Sequence, residues 1–409
     1  MAVRAQFHTA PPARLGVAVS GGGDSVALLH ILANCFDPGT VTLFAATVDH
    51  GLRSESAQEA EMVADLTASL GVDHTILKWE GWDKSGNLQD QARRARYRLL
   101  SDWAKKNDIA ILALGHTADD QAETVLMRLA RSSGVTGLAA MPVRRTYNGV
   151  TIFRPLLRIA RSDLRLYLKR RKIGWAEDPS NVDMRFERIK MRRALEVLEP
   201  LGISSRALAD VAQNMSQARE ALDWYSFLAA RDSVAIHDGD VVLDLQKFRT
   251  LPDEIARLLL LRAILWINGA EYPPRRAPMI EVLKAVRQGK PATLGGCRTL
   301  PQGRRTWICR EFNAVRRTRC ATDALWDGRW RLSSTNNATG YELRALGRRG
   351  LLQCPDWCET GRPRAALTAS PSVWNGDELV AAPLAGMANG WHAELVEGSE
   401  EFYASLLSH

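Results

Sequence analysis

Short apolar runs alternate with stretches of helical spacing through the first half of the chain. Residues 15–20 form an apolar run ending in glycines, and a helical stretch over 25–32 follows at once. Residues 41–49 read as a strand and 55–70 as an amphipathic helix. Residues 74–79 give a strand, 87–106 a helix, 109–114 an apolar strand and 119–131 another helix. This alternation predicts an α/β fold, a parallel sheet with helices on both faces. Ligands of such sheets bind beyond the carboxyl ends of the strands, so chemical motifs are expected just after strands.

The pattern then changes. Residues 203–228 are helical without strand signals, and a short β-like segment at 241–245 leads into an apolar helix over 254–267. A Pro- and Gly-rich stretch, 270–302, holds one more helix at 277–287, and short strands and turns follow from 306. The expected organisation is a catalytic domain over 1–200, a mostly helical accessory domain over 201–320 and a small α+β region over 321–409. The length of 409 residues suits two or three cores.

Composition adds three constraints. Hydrophobic content of 46% with 24% charged residues is that of a globular protein. No apolar run reaches the ~18 residues of a spanning helix, and no apolar signal core follows the first residues, so a soluble cytoplasmic protein is expected. Only Cys35 of the six cysteines lies before Cys297, which excludes a disulfide scaffold. Cys354 and Cys358 have a spacing seen in metal sites, but no second close pair accompanies them, so reduced thiols are expected.

The net charge of +8 is concentrated. Residues 158–193, read as a basic helix, carry 12 Lys/Arg against five Asp/Glu, and residues 298–319 carry seven arginines against Glu311 alone. Two basic stretches on an otherwise mildly acidic chain suit a polyanion, although solvated helix faces would give the same counts.

Four motifs carry chemistry, and three of them fall just after strands, where the switch-point rule places them. Ser20-Gly21-Gly22-Gly23-Asp24-Ser25 lies between the first strand and the first helix, where backbone N–H groups can cradle phosphate. No Lys-Ser/Thr follows, so this is not a Walker A loop. Asp49 and His50 stand at the end of the second strand, in Val48-Asp49-His50-Gly51-Leu52-Arg53. On the next long helix Gln89, Arg93 and Arg96 share a face, with arginines suited to clamping phosphate. After the strand 109–114 comes Gly115-His116-Thr117-Ala118-Asp119-Asp120-Gln121-Ala122-Glu123-Thr124. Carboxylates three or four apart at a helix start can share Mg²⁺, and His116 could move a proton. Each motif alone has an ordinary structural reading, as a glycine turn, a polar loop, a basic helix face or acidic capping.

Taken in order, the motifs carry a family resemblance. The first resembles the SGGxDS loop of the N-type ATP pyrophosphatases, a Rossmann-like superfamily that cleaves ATP between its α and β phosphates. The others resemble the VDHGLR, QxxARxxRYxxL and GHxxDDxxET motifs of the tRNA(Ile)-lysidine synthases. Arg154-Pro155-Leu156-Leu157, Trp175-Ala176-Glu177-Asp178-Pro179-Ser180-Asn181 and the arginines Arg185, Arg188, Arg192 and Arg193 are similar to further elements of that family. Thr293-Leu294-Gly295-Gly296-Cys297 and 371–383 resemble parts of its accessory domains, whereas 355–366 lacks the lysine-rich element of many members.

The resemblance implies a carbon–nitrogen ligase. ATP adenylates the C2 oxygen of the wobble cytidine in the CAU-anticodon isoleucine tRNA, and free L-lysine displaces AMP. The implied residues are Ser20, Gly21, Gly22, Gly23, Asp24, Ser25, Arg93 and Arg96 for ATP, with Asp24, Asp119 and Asp120 for Mg²⁺. Asp49, His50, His116, Glu123 and Arg154 are the implied catalytic set, with Arg185, Arg188, Arg192 and Arg193 for RNA. A homodimer is suggested by the resemblance alone. An amide-forming ligase of the NAD synthetase kind would leave the two arginine clusters without use. A non-catalytic RNA-binding protein would have no use for four repelling carboxylates. A tRNA thiolase needs a reactive thiol in the site, and the catalytic region holds only Cys35. Trp326, Trp330, Trp357 and Trp374 are read as core residues rather than base-stacking platforms.

Overall fold

The apolar run after residue 13 forms β1 (Arg14–Ala18), which pairs in parallel with strands on both sides. The structure is a computed structural model and describes residues 3–7, 11–37, 39–51, 56–80, 88–177, 187–334 and 340–407. It divides into two compact units, Met1–Arg219 and Glu220–Ser408.

In the first unit β1 is followed by α1 (Gly23–Ala33), β2 (Thr42–Asp49), α2 (Ser56–Ser69), β3 (Asp73–Lys78) and α3 (Leu88–Lys106). Then come β4 (Ile111–Leu114), α4 (Ala118–Leu129), the single turn α5 (Val135–Leu138), β5 (Arg144–Tyr147) and β6 (Val150–Phe153). Two basic helices, α6 (Arg161–Arg171) and α7 (Glu187–Leu198), follow. The sheet order is β3-β2-β1-β4-β6-β5, parallel throughout except for the edge strand β5. Strand alternation sends side chains to two cores. Leu15, Val17 and Ala113 join α1 and α6 on one face, while Leu112 and Leu114 join Tyr97, Leu100 and Trp103 of α3 on the other. The order reverses around β1, so the carboxyl ends of β1, β2 and β4 open onto one crevice.

Two features differ from the sequence reading. The β5–β6 hairpin was not anticipated, because each strand has only four residues. Its signal was Asn148-Gly149, whose φ values of 48° and 73° make the tight turn. The basic stretch 158–193 is not one helix: Lys172 closes α6 in the left-handed conformation, and Ala176 pairs with Gly22. Residues 178–186, including Arg185, and residues 52–55, including Arg53, lie outside the described residues.

α8 (Ser205–Ser233) precedes β7 (Val234–His237), β8 (Asp240–Asp244), α9 (Leu245–Thr250), α10 (Asp253–Asn268), α11 (Arg276–Arg287), β9 (Ala292–Leu294), β10 (Cys297–Gln302) and β11 (Arg305–Arg310). The helices expected here are present, and with them an antiparallel sheet of order β7-β8-β11-β10-β9, of which the sequence reading had resolved only the segments at 241–245 and after 306. Ile255, Leu259, Ile264 and Ile267 of α10 pack on Val241, Leu243 and Ile308 of that sheet.

The last elements are α12 (Phe312–Val315), β12 (Arg319–Ala321), β13 (Trp330–Ser334), β14 (Glu342–Ala345), α13 (Gly347–Leu351), α14 (Arg364–Thr368), β15 (Pro371–Asn375), β16 (Glu378–Ala381), β17 (Trp391–Leu395) and α15 (Ser399–Ser405). They build the sheets β12-β14-β15-β16 and β13-β17. Trp326 and Trp330 are buried in one core of this region and Trp374 in another, against which the partly buried Trp357 packs. Asp240 and Arg362 form a buried ion pair at 2.6 Å, with side chains only 7% and 2% exposed. Cys297, Cys309 and Cys354 are buried, while Cys358 is exposed. No helix among the described residues is long and apolar enough to cross a membrane.

Candidate active site

A cavity of about 860 Å³ opens where the carboxyl ends of β1, β2 and β4 meet the start of α1. The glycine loop forms one wall. Gly21 has φ +82°, a conformation that favours glycine, and its carbonyl accepts the Ala176 N–H at 2.9 Å. The cap of α1 is Gly22, which has no side chain to accept from the first-turn N–H groups. Those groups and the helix dipole therefore favour an anion at the loop. Ser25 holds the loop closed, its hydroxyl donating to the Gly22 carbonyl at 2.9 Å and accepting the Ser20 N–H at 3.1 Å. Gly115 lies under the loop, where a Cβ would stand 3.0 Å from the Asp24 carbonyl and the Ser25 backbone.

Arg161, the first residue of α6, organises the acidic side of the site. Its guanidinium meets Asp24 Oδ2 at 2.9 Å, Asp120 Oδ1 at 3.4 Å and Glu123 Oε1 at 3.7 Å. Its backbone N–H donates to Asp119 Oδ2 at 2.7 Å. A cation at a helix N-terminus opposes the helix dipole, and here the carboxylates around it compensate. Asp120 also reaches back to accept the Thr117 N–H and hydroxyl, closing a capping box on α4. Arg192 of α7 binds Glu123 Oε1 at 3.0 Å, leaving the buried Glu123 Oε2 without a hydrogen-bond partner. Burial raises the carboxyls of Asp24 and Glu123, and neighbouring carboxylates raise them further against the arginines.

Among the described residues no three metal-ligating side chains converge, because Arg161 occupies the centre of the carboxylate group. Asp24 and Asp120 face the cavity and fit a magnesium ion that brings phosphate and water as its other ligands. Asp119, expected beside them, turns away: it serves the Arg161 backbone and faces a smaller cavity of about 180 Å³ with Glu123, Arg192 and Ser205.

Tyr97 gathers the other arginines. Arg93 and Arg96 lie over its ring at 5.3 and 5.5 Å, and Arg154 donates to its hydroxyl at 3.5 Å. Burial would raise the phenol, but Arg154, Arg96 and Arg93 bring it down to about 8. Burial lowers the basicity of His116 to about 3 and so favours the neutral ring; Asp120 opposes this, and Arg154, Arg96 and Arg188 add to it. His50 is lowered by burial and then Arg96, and its ring meets the edge of Trp79 at 5.6 Å.

Ser20, Gly22, Gly23, Asp24, Ser25, His50, Arg96, His116, Asp120, Arg188 and Arg192 thus face one cavity. Asp49 accepts the Gly51 N–H at 2.8 Å instead, and Arg93 and Arg193 are exposed outside it. Arg154 does not reach the cavity; it is 3% exposed and donates to the Pro142 carbonyl and Tyr97. Arg192, read as an RNA contact, is committed to Glu123. Sequence reading missed Arg161, whose signal was an arginine placed at the unfavourable end of a helix. Trp175, named there only within a family element and given no site role, has its ring 3.3 Å from where a Gly23 Cβ would be.

A glycine loop at a strand-to-helix turn, opening onto carboxylates and arginines at a topological switch point, defines a PP-loop protein, and residues 2–198 match the PP-loop domain model. The chain is 62% identical over 407 residues to the tRNA(Ile)-lysidine synthase of Ruegeria pomeroyi, covering 100% of this chain and 97% of that one. It is 40% identical over 308 residues to the tRNA(Ile)-lysidine synthase of Wolbachia pipientis wMel, covering 74% and 72%. Among solved structures, the U34-tRNA thiolase NcsA from Methanococcus maripaludis matches 53% of this chain and 76% of its own with a TM-score of 0.47 at 16% identity. This chain belongs to the tRNA(Ile)-lysidine synthase family.

Proposed function

We propose that this chain is a cytoplasmic carbon–nitrogen ligase that joins lysine to C2 of the wobble cytidine in the CAU-anticodon isoleucine tRNA. The observation that carries the reading is full-length relatedness at 62% identity, combined with the glycine loop and the carboxylates of Asp24 and Asp120 in one cavity. In the first step the cytidine O2 attacks the α-phosphorus of ATP, forming an O–P bond as pyrophosphate leaves. In the second, a lysine amine attacks C2 and the C2–O bond breaks, releasing AMP. The amine must lose a proton before attack, since it is protonated at pH 7.

Residues 20–25 would hold the phosphates, with Asp49 and His50 bordering the nucleotide. Magnesium, arriving with ATP, would be held by Asp24 and Asp120 and would neutralise phosphate charge. Glu123, with one oxygen unpartnered and its proton affinity raised by burial, suits the base, and the neutral His116 suits orienting the amine. Arg154 would act from behind the cavity by holding Tyr97 and so Arg96. The RNA would meet Arg185, Arg188 and Arg193, with 201–320 acting as an accessory tRNA-binding domain, and the enzyme working as a homodimer.

The test is incorporation of labelled lysine into purified isoleucine tRNA with ATP and Mg²⁺, comparing wild type with Asp24→Ala. Lysine-dependent label that disappears in the variant is the expected result. AMP and pyrophosphate without lysine transfer would leave the nucleotide chemistry standing and remove the nucleophile.

A further inference from the structure

Among the described residues five arginines line the cavity, and their partners divide them. Arg161 is spent on Asp24, Asp120 and Glu123, and Arg192 on Glu123. Arg165 is exposed. Arg96 of α3 and Arg188 of α7 are half-buried and have no carboxylate partner among the described residues. The buried Nε of Arg96 has no acceptor, and the buried Nδ1 atoms of His50 and His116 beside it are also without partners. Arg188 and Arg93 stand near enough to Arg96 to weaken, after burial, its hold on its proton. Like charges drawn together behind a cavity wall are unfavourable unless an anion arrives between them.

We propose that Arg96 and Arg188 form a second phosphate subsite, separate from the glycine loop, that clamps an RNA phosphodiester next to the reacting cytidine. The inference rests on the proposed function and assigns one part of the RNA to one part of the cavity. In that reading the nucleotide's phosphates are met by the N–H groups at the start of α1 and by the Ser20 hydroxyl. A cytidine that brings its O2 to an α-phosphate must bring its flanking phosphodiesters too, each with a full negative charge. Guanidinium groups meet such oxygens in a two-pronged fork, which an ammonium cannot reproduce.

Lysine transfer by the wild type to unmodified tRNA is measured first, so that failure of the proposed function shows itself separately from failure of the subsite. Dissociation constants are then measured by fluorescence anisotropy for a CAU anticodon stem-loop and for versions with a neutral methylphosphonate on either side of the cytidine. One methylphosphonate is expected to weaken binding to wild type about tenfold. Arg96→Gln and Arg188→Gln should weaken binding of the unmodified RNA to the same degree and be indifferent to that methylphosphonate, the signature of a coupled pair. Arg188→Lys, which keeps the charge, should recover part of the loss and control for folding. Calorimetry with ATP alone should give dissociation constants within about twofold of wild type for Arg188→Gln. Additive losses, equal sensitivity to the neutral linkage in every variant, or a loss seen in ATP binding and not in RNA binding would each overturn the assignment.

Discussion

Arg161 is a residue whose geometry exceeds its charge. Lysine at this position keeps the cation but cannot span Asp24, Asp120 and Glu123 together. Arg161→Lys is therefore expected to lower the rate of lysine incorporation by about 100-fold with little change in melting temperature. Arg161→Gln leaves three carboxylates facing one another and should also cost about 3 kcal/mol of stability by thermal unfolding. Tyr97 offers a test that needs no substrate. Its phenol is brought to about 8, against about 10 in an unfolded chain. Between those values the unfolded chain holds the extra proton, so Tyr97 adds stability as pH rises through that window. An ultraviolet titration should show one of the seven tyrosines ionising near pH 8, absent in Tyr97→Phe and shifted upward in Arg154→Gln. At this scale the sequence was legible wherever a motif followed a strand. It was silent on pairing: that Arg192 serves Glu123 and Arg154 serves Tyr97 follows from packing between elements distant in the chain.

Among the elements, most strands and helices with clear period emerged within a residue or two of their bounds, although α8, expected over 203–228, runs on to Ser233. β2, expected over 41–49, is Thr42–Asp49, and α10, expected over 254–267, is Asp253–Asn268. The losses were elements of three to six residues, β5, β6, β9 and β10, where pattern is too short to show a period. The loop after β1 shows how neighbouring elements set a site. It is pinned from one side by the 173–177 segment through the Gly22–Ala176 bridge, and from below by the close approach of Gly115. A methyl group at 115 meets backbone atoms that cannot rotate aside. Gly115→Ala should shift the start of α1, weaken ATP binding by about tenfold in calorimetry, and cost about 1–3 kcal/mol of stability. An unchanged ATP affinity would mean that the loop accommodates the methyl without moving its N–H groups.

Over the whole molecule the charge count of +8 proves a poor guide to where charge acts. Arginines that pair with carboxylates add nothing to it: Arg310 pairs with Asp327, Arg319 with Glu342, and Arg362 with Asp240. The last pair ties β8 to the segment before α14 within the second unit. Removing one partner strands a buried charge, so Arg362→Met should destabilise that unit by about 3–5 kcal/mol in denaturant unfolding. Pairing it with Asp240→Asn should restore much of the loss, because the charge left behind is then gone. The thiols of the second unit have a consequence for experiment. Burial pushes Cys297 up to about 12 and Cys309 and Cys354 upward as well, while Cys358 stands in solvent. Since only a thiolate attacks an alkylating reagent, Cys358 should be modified at once and the three buried sulfurs only when the unit opens. Mass spectrometry of a timed alkylation then becomes a clock for spontaneous opening, read in native buffer and without a dye or denaturant.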